Sequence, residues 1–491
     1  MSRKNPALYQ INTRAFLSEI SRKISRIATL DDIPDSDLEQ WAKFGFDWIY
    51  MLSVWQTGEA GRRISQENPV WRKEYEETLP DLQEEDIAGS GFAITGYTVS
   101  DRIGGEEALL RFRKRLASHD MKLMLDFVPN HTAPDHPWTD SHPGFFIHGT
   151  EEDLKRTPDH YTRIKRKHDK RILAYGRDPY YPGWPDTLQL NYGNPHLQKA
   201  MSDELANIAS KCDGVRCDMA MLLLPDVFQK TWKMEAEPFW PEAIRLVKEQ
   251  YPDFILMGEV YWDMEWVMQQ QGFDYTYDKR LYDRLLERES GPVREHLVAN
   301  LNYQEKLARF LENHDEQRIA SILTWETHQA ASIITFLTPG LKFFHRGEMQ
   351  GWKKKITAHL GRGPEEISDP RISGFYLKLL EIVNCPEIHV GEWNLLTCHP
   401  AWDGNQTHEN FIAFSWKYLE SFILVVVNYA DCQGQCLVKV PFSELKDLTW
   451  RFHDILSDST YEHDDNDLVN RGLFLDMAAW GYHVFDVRRE T

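Results

Sequence analysis

The stretch Gly214-Val215-Arg216-Cys217-Asp218 places an arginine two residues before a carboxylate at the end of a short apolar run. Alternate side chains of a β-strand point to the same face, so Arg216 and Asp218 are expected to project together. A guanidinium beside a carboxylate lowers the pKa of that carboxylate and keeps it ionised at neutral pH. An oriented, ionised carboxylate can act as the nucleophile in glycosyl transfer. A structural ion pair at a strand end is the alternative interpretation.

Further carboxyl and imidazole side chains follow other apolar runs of the chain. Close carboxylates cannot all ionise cheaply, so one of them acquires a raised pKa and becomes an acid. Because Arg216 keeps Asp218 charged, Glu259 is the best candidate for the proton donor. One charged and one protonated carboxyl about 5–5.5 Å apart is the arrangement of a retaining glycosidase. The other polar residues at predicted strand ends are Asp126, Asn130, His131, Asn313, His314 and Asp315.

Several of these residues suit sugar binding. His131, His314 and Asp315 can hydrogen-bond sugar hydroxyls, and Tyr97, which follows Gly96, can stack under a sugar ring. Each has a structural alternative. Tyr97 could be plain loop packing, His314 a buried and satisfied histidine, and Glu259 an acid that complements a helix dipole. His131 could also bind a metal with Asp135 and His136, but the segment lacks an HExxH spacing and a nearby cysteine.

The elements that would position these residues alternate between apolar strands and amphipathic helices. Helices are predicted over Glu106–Ser118 and Pro195–Lys211, among others. Strands that are apolar on both faces and alternate with helices indicate a parallel sheet. Eight such units close into a (β/α)8 barrel, which gathers the carboxyl ends of its strands around one mouth. The predicted strands lie near residues 8, 48, 124, 215, 256, 275, 309 and 343.

Two regions depart from this alternation of strands and helices. Residues 133–185, after the third strand, are rich in Pro, His, Asp and Tyr and are predicted to form an insert. The catalytic barrel then comprises residues 1–132 and 186–389. From residue 390 to residue 491, strands follow one another without helices, which predicts a C-terminal β-sandwich domain. Its predicted strands include Phe411–Trp416, Ser421–Tyr429 and Cys436–Val440.

Composition restricts the classes of partner and compartment. The formal charge of −20 disfavours nucleic acid as a ligand. No apolar run approaches the roughly 18 residues of a membrane span, and the N-terminus lacks an apolar core of signal-peptide length. The six cysteines show no CxxC pairing, which is typical of free thiols in a reducing cytoplasm. The sequence therefore predicts a cytoplasmic protein without nucleic-acid or membrane partners.

Four short motifs, in order along the chain, resemble those of the α-amylase superfamily, glycoside hydrolase family 13. Gly96-Tyr97 resembles the loop that places an aromatic residue beside the reacting sugar in that family. Residues 338–348, with Thr-Pro-Gly, an aromatic strand and Arg-Gly-Glu, resemble its segment around the eighth strand. The four motifs are Asp126-Phe-Val-Pro-Asn-His131, Gly214-Val-Arg-Cys-Asp218, Gly258-Glu-Val260 and Phe310-Leu-Glu-Asn-His-Asp315.

The resemblance implies a role for each matching residue. Asp218 would be the nucleophile, Glu259 the general acid/base, and Asp315 the third carboxylate, which holds the distorted sugar in the transition state. It also implies binding and supporting roles for five other residues. Arg216 would orient Asp218, His131 and His314 would hold sugar hydroxyls, Tyr97 would stack on the sugar, and Asp126 would support Arg216.

One departure from the family concerns metal binding. Many starch-cleaving members carry Lys-His three and four residues after the nucleophile, where the lysine contacts the leaving sugar and the histidine helps to bind calcium. Here these positions are Met221 and Leu222, although Asn130 is retained. We therefore expect no cofactor and no metal. A structural calcium ion remains the alternative.

The expected activity is retaining hydrolysis of α-glucosidic bonds in α-glucans or malto-oligosaccharides through a covalent intermediate. The partner would be an oligosaccharide or polysaccharide substrate. An α-transglycosylase, or a member active on disaccharides of the sucrose or trehalose type, is the alternative within the family. A non-catalytic sugar-binding barrel is the alternative of another class, and the presence of all three carboxylates argues against it.

Overall fold

A computed structural model describes residues 3–166, 169–440, 450–463, 468 and 471–489. Eight parallel strands close into a barrel in which the order of the strands follows the chain. The last strand pairs with the first, with Ala7 opposite Lys342. The predicted (β/α)8 barrel and its eight strands are thus confirmed. The strands, here β1 to β8, are Ala7–Asn12, Trp48–Leu52, Lys122–Phe127, Gly214–Cys217, Ile255–Gly258, Tyr275–Tyr277, Leu307–Arg309 and Leu341–His345.

The interior of the barrel is filled by large apolar side chains. Alternate residues of each strand face inward, so the strands together supply one packed layer after another. All five residues of β2 and of β8 are buried, because helices cover the outer face of these strands. The inward cluster includes Leu8, Tyr50, Met124, Met257, Ala308, Leu341 and Phe343.

Helices separate successive strands of the barrel. The predicted helices Glu106–Ser118 and Pro195–Lys211 are present over Gly105–Ala117 and Pro195–Ala209. The remaining α-helices up to β8 are Thr13–Ile24, Asp35–Lys43, Glu59–Glu67, Pro69–Thr78, Trp138–Ser141, Glu151–Arg156, Pro225–Trp232, Trp240–Gln250, Glu265–Gln270, Lys279–Glu287, Ser290–Leu297, Leu301–Gln304, Ile319–Ile322 and Trp325–Leu337. Helices Pro370–Val383 and Pro386–Val390 follow β8.

The segment after β2 contains regular structure of its own. It contains the consecutive helices Glu59–Glu67 and Pro69–Thr78, followed by a strand, Ile94–Val99, that pairs with Trp55–Thr57. Asn68 caps the second helix, since its Oδ1 accepts hydrogen bonds from the backbone N–H groups of Val70 and Trp71. These helices form one side of the opening at the carboxyl ends of the barrel strands.

An irregular segment follows β3, as the sequence predicts. It contains a hairpin of Tyr161–Arg166 and Asp169–Ala174 and a short strand pair of His131–Thr132 with Leu188–Gln189. This second pair ties the end of the segment to the residues just after β3. The segment thereby covers a second side of the barrel mouth.

The C-terminal region is all-β, as predicted. One antiparallel sheet has six strands and another has three, and apolar residues from both sheets form a common cluster. Trp416 Nε1 donates to the carbonyl of Leu337 at 2.7 Å, which fastens this region to the barrel. Residues 441–449, within the predicted terminal domain, lie outside the described part. The strands are Glu392–Leu396, Cys398–His399, Phe411–Tyr418, Ser421–Asn428, Gly434–Val438, Trp450–Asp454, Ser459–His463, Leu473–Met477 and Tyr482–Arg489.

Within the described residues, no helix combines the length and apolar character needed to cross a membrane. All six cysteines are free thiols.

The turn before β8 gives a testable prediction on stability. Gly340 has a φ of +108°, and a Cβ there would lie 2.3 Å from the carbonyl oxygen of Leu307. Gly340→Ala should therefore lower the free energy of unfolding by about 1–3 kcal/mol. Urea denaturation followed by circular dichroism measures this. Gly374→Ala, in a helix with open space at the Cβ, is the matched control and should be neutral or stabilising. Equal stability of the two variants would contradict the packing described for the turn.

Candidate active site

A cavity of about 360 Å³ opens at the carboxyl ends of the barrel strands. Asp218 and Glu259 enter it directly after β4 and β5. Their backbone N–H groups continue the hydrogen bonding between the barrel strands. The N–H of Asp218 donates to the carbonyl of Phe127 at 2.8 Å, and that of Glu259 donates to the carbonyl of Cys217 at 3.0 Å. The two carboxyl groups are therefore positioned by the sheet rather than by a mobile loop.

Arg216 joins the two carboxyl groups. Its Nη1 lies 2.7 Å from Asp218 Oδ1, and its Nη2 lies 2.7 Å from Glu259 Oε2. The guanidinium is buried, packed over the rings of Phe92 and Tyr277 at 5.1 and 5.9 Å. Since both carboxyls are held by the adjacent nitrogens of one guanidinium, they lie side by side in the same cavity.

Asp218 has one engaged and one free oxygen. Oδ1 accepts from Arg216, whereas Oδ2 has no hydrogen-bond partner among the described residues and faces His131 Nε2 at 4.0 Å. Burial raises the pKa of Asp218 to about 6, and the charge of Arg216 opposes this rise. An oriented carboxylate with an unengaged oxygen is equipped to act as a nucleophile.

Glu259 is held by three donors. Its Oε2 accepts from Arg216 and from the backbone N–H of Met219 at 2.7 Å, and its Oε1 accepts from the Tyr261 hydroxyl at 2.9 Å. Burial nevertheless raises the pKa of Glu259 to about 7, with the negative charge of Asp218 adding to the rise. Near neutrality this carboxyl can both give and take a proton, as a general acid/base must.

The two histidines and Asp315 also line the cavity. Burial lowers the pKa of His131 to about 3 and that of His314 to about 4, so both imidazoles are neutral at pH 7. The Gln10 amide donates to His314 Nδ1 at 3.0 Å, which leaves the proton on Nε2, 3.1 Å from Asp315 Oδ2. Asp315 remains 46% exposed in its side chain. Neutral imidazoles and an accessible carboxylate are suited to hydrogen-bonding hydroxyl groups.

Tyr97 is placed differently from what the resemblance implies. Its hydroxyl donates to the Val128 carbonyl at 2.9 Å and accepts from the Val128 N–H, and its ring packs edge-on against Trp55. Only 6% of Tyr97 is exposed, and it does not line the cavity. Tyr97 thus has a packing role in the core, although it lies in the strand Ile94–Val99 and not in a loop. Phe92, earlier in the same segment, lines the cavity and packs beside His314 at 5.3 Å.

Asp126 supports the site from beneath the cavity. It lies directly opposite Arg216 in the pairing of β3 with β4. Its carboxyl accepts from the Tyr50 hydroxyl at 2.5 Å and the Ser53 N–H at 2.9 Å. Burial raises its pKa, while the charge of Arg216 acts in the opposite direction. Asp126 therefore contributes to the surroundings of Arg216 without facing the cavity.

The cavity also has lining residues that strand-end reasoning does not find. Most of them come from the helices and the loop after β2, the segment after β3 and the loop after β8, whereas Tyr261 follows Glu259 after β5. They include Trp71, Phe92, Trp184, Asp186, Tyr261, Lys355 and His359.

The residues around Asn130 do not fit a calcium site. Gln189 Nε2 donates to Asn130 Oδ1 at 2.9 Å and to the Asn130 carbonyl at 3.0 Å, so both oxygens already receive an amide hydrogen. Met221 and Leu222 are buried in an apolar turn away from the cavity. A calcium ion requires six to eight oxygen ligands. Among the described residues, no group of three or more His, Cys, Asp or Glu is arranged to hold a metal.

Comparison with known proteins identifies the family of this chain. Residues 43–373 match the family model described as the α-amylase catalytic domain. This match covers more than half of the chain, and the protein belongs to the α-amylase family of glycoside hydrolase-type enzymes. The family assignment from the four motifs is therefore confirmed.

The particular relatives differ in activity. α-Amylase 3 of Dictyoglomus thermophilum is 24% identical over 304 residues, which cover 58% of each chain. An α-1,4-glucan:maltose-1-phosphate maltosyltransferase of Burkholderia pseudomallei is 25% identical over 58% of this chain and 23% of its own. The chain thus spans about three fifths or less of these relatives. The crystal structure of a maltogenic α-amylase from Thermotoga neapolitana superposes with a TM-score of 0.69, at 19% identity over 99% of both chains.

Phe92 lines the cavity and Tyr97 does not, which gives a prediction on activity. Tyr97→Phe removes a buried hydroxyl and should lower the free energy of unfolding by about 0.5–1.5 kcal/mol, with little change in kcat/KM. Phe92→Leu removes an aromatic face from the cavity and should lower kcat/KM about tenfold. Hydrolysis of an aryl α-glucoside and thermal unfolding measure both effects. A larger loss of kcat/KM in Tyr97→Phe than in Phe92→Leu would reverse the assignment.

Proposed function

We propose that this protein is a retaining α-glycosidase that hydrolyses α-glucosidic bonds in malto-oligosaccharides or α-glucans. The observation that carries the proposal is the pairing of Asp218 and Glu259 on one guanidinium in one cavity. Such close carboxyls suit the separation of about 5–5.5 Å required for retention, whereas inversion needs room for a water molecule between them.

The reaction would proceed in two steps. Asp218 Oδ2 attacks the anomeric carbon while Glu259 gives its proton to the leaving glycosidic oxygen, so the C–O bond breaks and a glycosyl ester forms. Glu259, now ionised, then takes a proton from water as that water attacks the same carbon and releases Asp218. His131, His314 and Asp315 would hold the hydroxyls of the reacting sugar, and Arg216 would fix Asp218 Oδ1.

We further propose that catalysis needs no bound cation. The amide donors on Asn130 and the apolar residues at 221 and 222 support this. We also place the enzyme in the cytoplasm, as the six free thiols suggest.

Substitution of the two carboxyls tests the mechanism. Asp218→Asn should lower kcat by about 10⁴-fold or more, because an amide cannot form the glycosyl ester. Glu259→Gln should lower turnover of maltotriose by about 10²–10⁴-fold. It should affect an aryl glucoside less, since a nitrophenolate leaves without full protonation.

Removal of metal ions tests the proposal that catalysis needs no bound cation. The wild-type rate should be unchanged in EDTA.

Product analysis decides between the alternatives. Proton NMR of maltotriose hydrolysis should show the α-anomer first, and β-anomer first would refute retention. Transfer to added glucose in preference to water would indicate a transglycosylase, as in the maltosyltransferase relative. Full activity of both substituted proteins would show that other residues carry the chemistry.

The raised pKa values predict the pH dependence. Asp218 must be ionised, so kcat/KM should rise as the pH increases through about 6. Glu259 must be protonated, so kcat/KM should fall as the pH increases through about 7. The resulting bell-shaped profile is measured with maltotriose. In Glu259→Gln the alkaline fall should disappear from the residual activity. A profile that stays flat from pH 5 to 9 would contradict the electrostatics of the site.

A further inference from the structure

A second cavity, of about 290 Å³, shares no lining residue with the catalytic cavity. The chain segment 88–92 contributes to the walls of both, because Ala88 lines the second cavity whereas Ser90 and Phe92 line the catalytic one. The second cavity is also lined by three arginines, none of which the proposed reaction uses. They are Arg14 in the helix after β1, Arg62 in the helix Glu59–Glu67, and Arg102 just after the strand Ile94–Val99.

Two of these arginines approach the same backbone position. Arg14 Nη1 donates to the Gly89 carbonyl at 2.6 Å, and Arg14 Nη2 donates to Thr57 Oγ1 at 3.1 Å. Gly89 has a φ of +79°, and a Cβ there would lie 2.8 Å from the Arg62 Cα. Arg62 Nε donates to the Ile87 carbonyl at 3.0 Å. A guanidinium has five N–H donors, so these bonds hold both groups in place and leave donors for a ligand.

Within the described part of the chain, neither Arg14 nor Arg62 has a carboxylate oxygen within 4.0 Å of its guanidinium nitrogens. Burial lowers the pKa of Arg14, and the positive charges of Arg102 and Arg62 lower it further. Arginine nevertheless stays protonated at neutral pH. Two guanidinium groups that line one cavity without a carboxylate partner favour a ligand that carries two negative charges.

The other polar groups of the cavity suit a ligand that also has hydroxyl groups. Glu59 and Glu85 line the cavity too, and Glu59 Oε1 lies 3.8 Å from Arg102 Nη2. Carboxylates accept hydrogen bonds from hydroxyl groups. A volume of about 290 Å³ lies near the lower end of the range for small-molecule sites. Further hydroxyl groups come from Ser18, Ser53 and Ser100.

We propose that Arg14, Arg62 and Arg102 bind the phosphate group of a small phosphorylated molecule, at a site separate from the catalytic cavity. A guanidinium can hold two phosphate oxygens side by side, and three arginines offset the phosphate charge even with Glu59 near Arg102. The serines and the carboxylates would hydrogen-bond the hydroxyl groups in the rest of the ligand. This site does not depend on the reaction proposed above.

Isothermal titration calorimetry of the full-length protein with glucose 6-phosphate and with inorganic phosphate tests the proposal. We expect one site per chain, with a dissociation constant of about 1 mM or lower for at least one of the two probes. Tighter binding of glucose 6-phosphate would show that the site recognises a phosphate ester. Equal or weaker binding of the ester would show that the phosphate group alone is recognised.

Substitution of the arginines locates the site. Arg14→Gln should weaken binding about tenfold or more, because a charged hydrogen-bond donor to the phosphate is lost. Arg102→Gln should weaken binding about threefold or more. The Arg102 side chain is 69% exposed, so this variant keeps the test valid if Arg14→Gln does not fold. Arg63→Gln is the matched control and should bind as wild type does, because Arg63 is an exposed neighbour of Arg62 outside the cavity.

Three results would overturn the proposal. One is the absence of binding of either probe to the wild type at concentrations up to about 10 mM. Another is unchanged affinity in a folded Arg14→Gln protein or, where that protein does not fold, in Arg102→Gln, since the phosphate would then bind elsewhere. The third is an equal loss of affinity in Arg63→Gln, which would indicate an effect of net charge rather than a site.

Discussion

The ion pairs of Arg216 with two buried carboxyls are the interaction on which the rest of the site depends. Taking a carboxylate out of water is costly, and here two of them share one guanidinium at 2.7 Å each. Burial raises both pKa values, the charges of neighbouring carboxyls add to the rise, and the cation limits it. The result is a pair poised near neutrality, where one member can be ionised while the other carries a proton.

The barrel supplies the rigidity that this pairing requires. β4 and β5 are neighbouring strands, with Arg216 opposite Met257 and Cys217 opposite Gly258. Asp218 and Glu259 follow as the next residues along the ladder, so sheet hydrogen bonds fix their separation. Less regular segments form the outer walls of the cavity. These segments determine the shape of the space that is available to the substrate. Such a division between a fixed centre and variable walls is characteristic of this fold.

Much of this arrangement could be predicted from the sequence, because strand-end residues in a barrel converge whatever the loops do. The apolar runs located all eight strands, and Asp218, Glu259, His131, His314 and Asp315 enter or border one cavity. The helices over residues 59–78 could not be predicted, since their apolar contacts are distant in sequence. Tyr75 and Leu79 pack on Ile87 and Leu360. Asp186 likewise carries no local signal, and its place in the cavity wall depends on the packing of its own chain segment against Gly61, which is distant in sequence. Gly96-Tyr97 predicted an aromatic ring beside the sugar, but the backbone directs the Tyr97 ring into the core. Phe92 lines the cavity instead.

The central claim is that Asp218 forms a covalent bond to the sugar. Incubation with 5-fluoro-α-glucosyl fluoride, which forms a glycosyl ester quickly and releases it slowly, followed by mass spectrometry of the peptic peptides, tests this most directly. We expect one added fluoroglucosyl group per chain, located on Asp218, and none in Asp218→Asn. Labelling of a different residue, or turnover of the reagent without any adduct, would contradict the account.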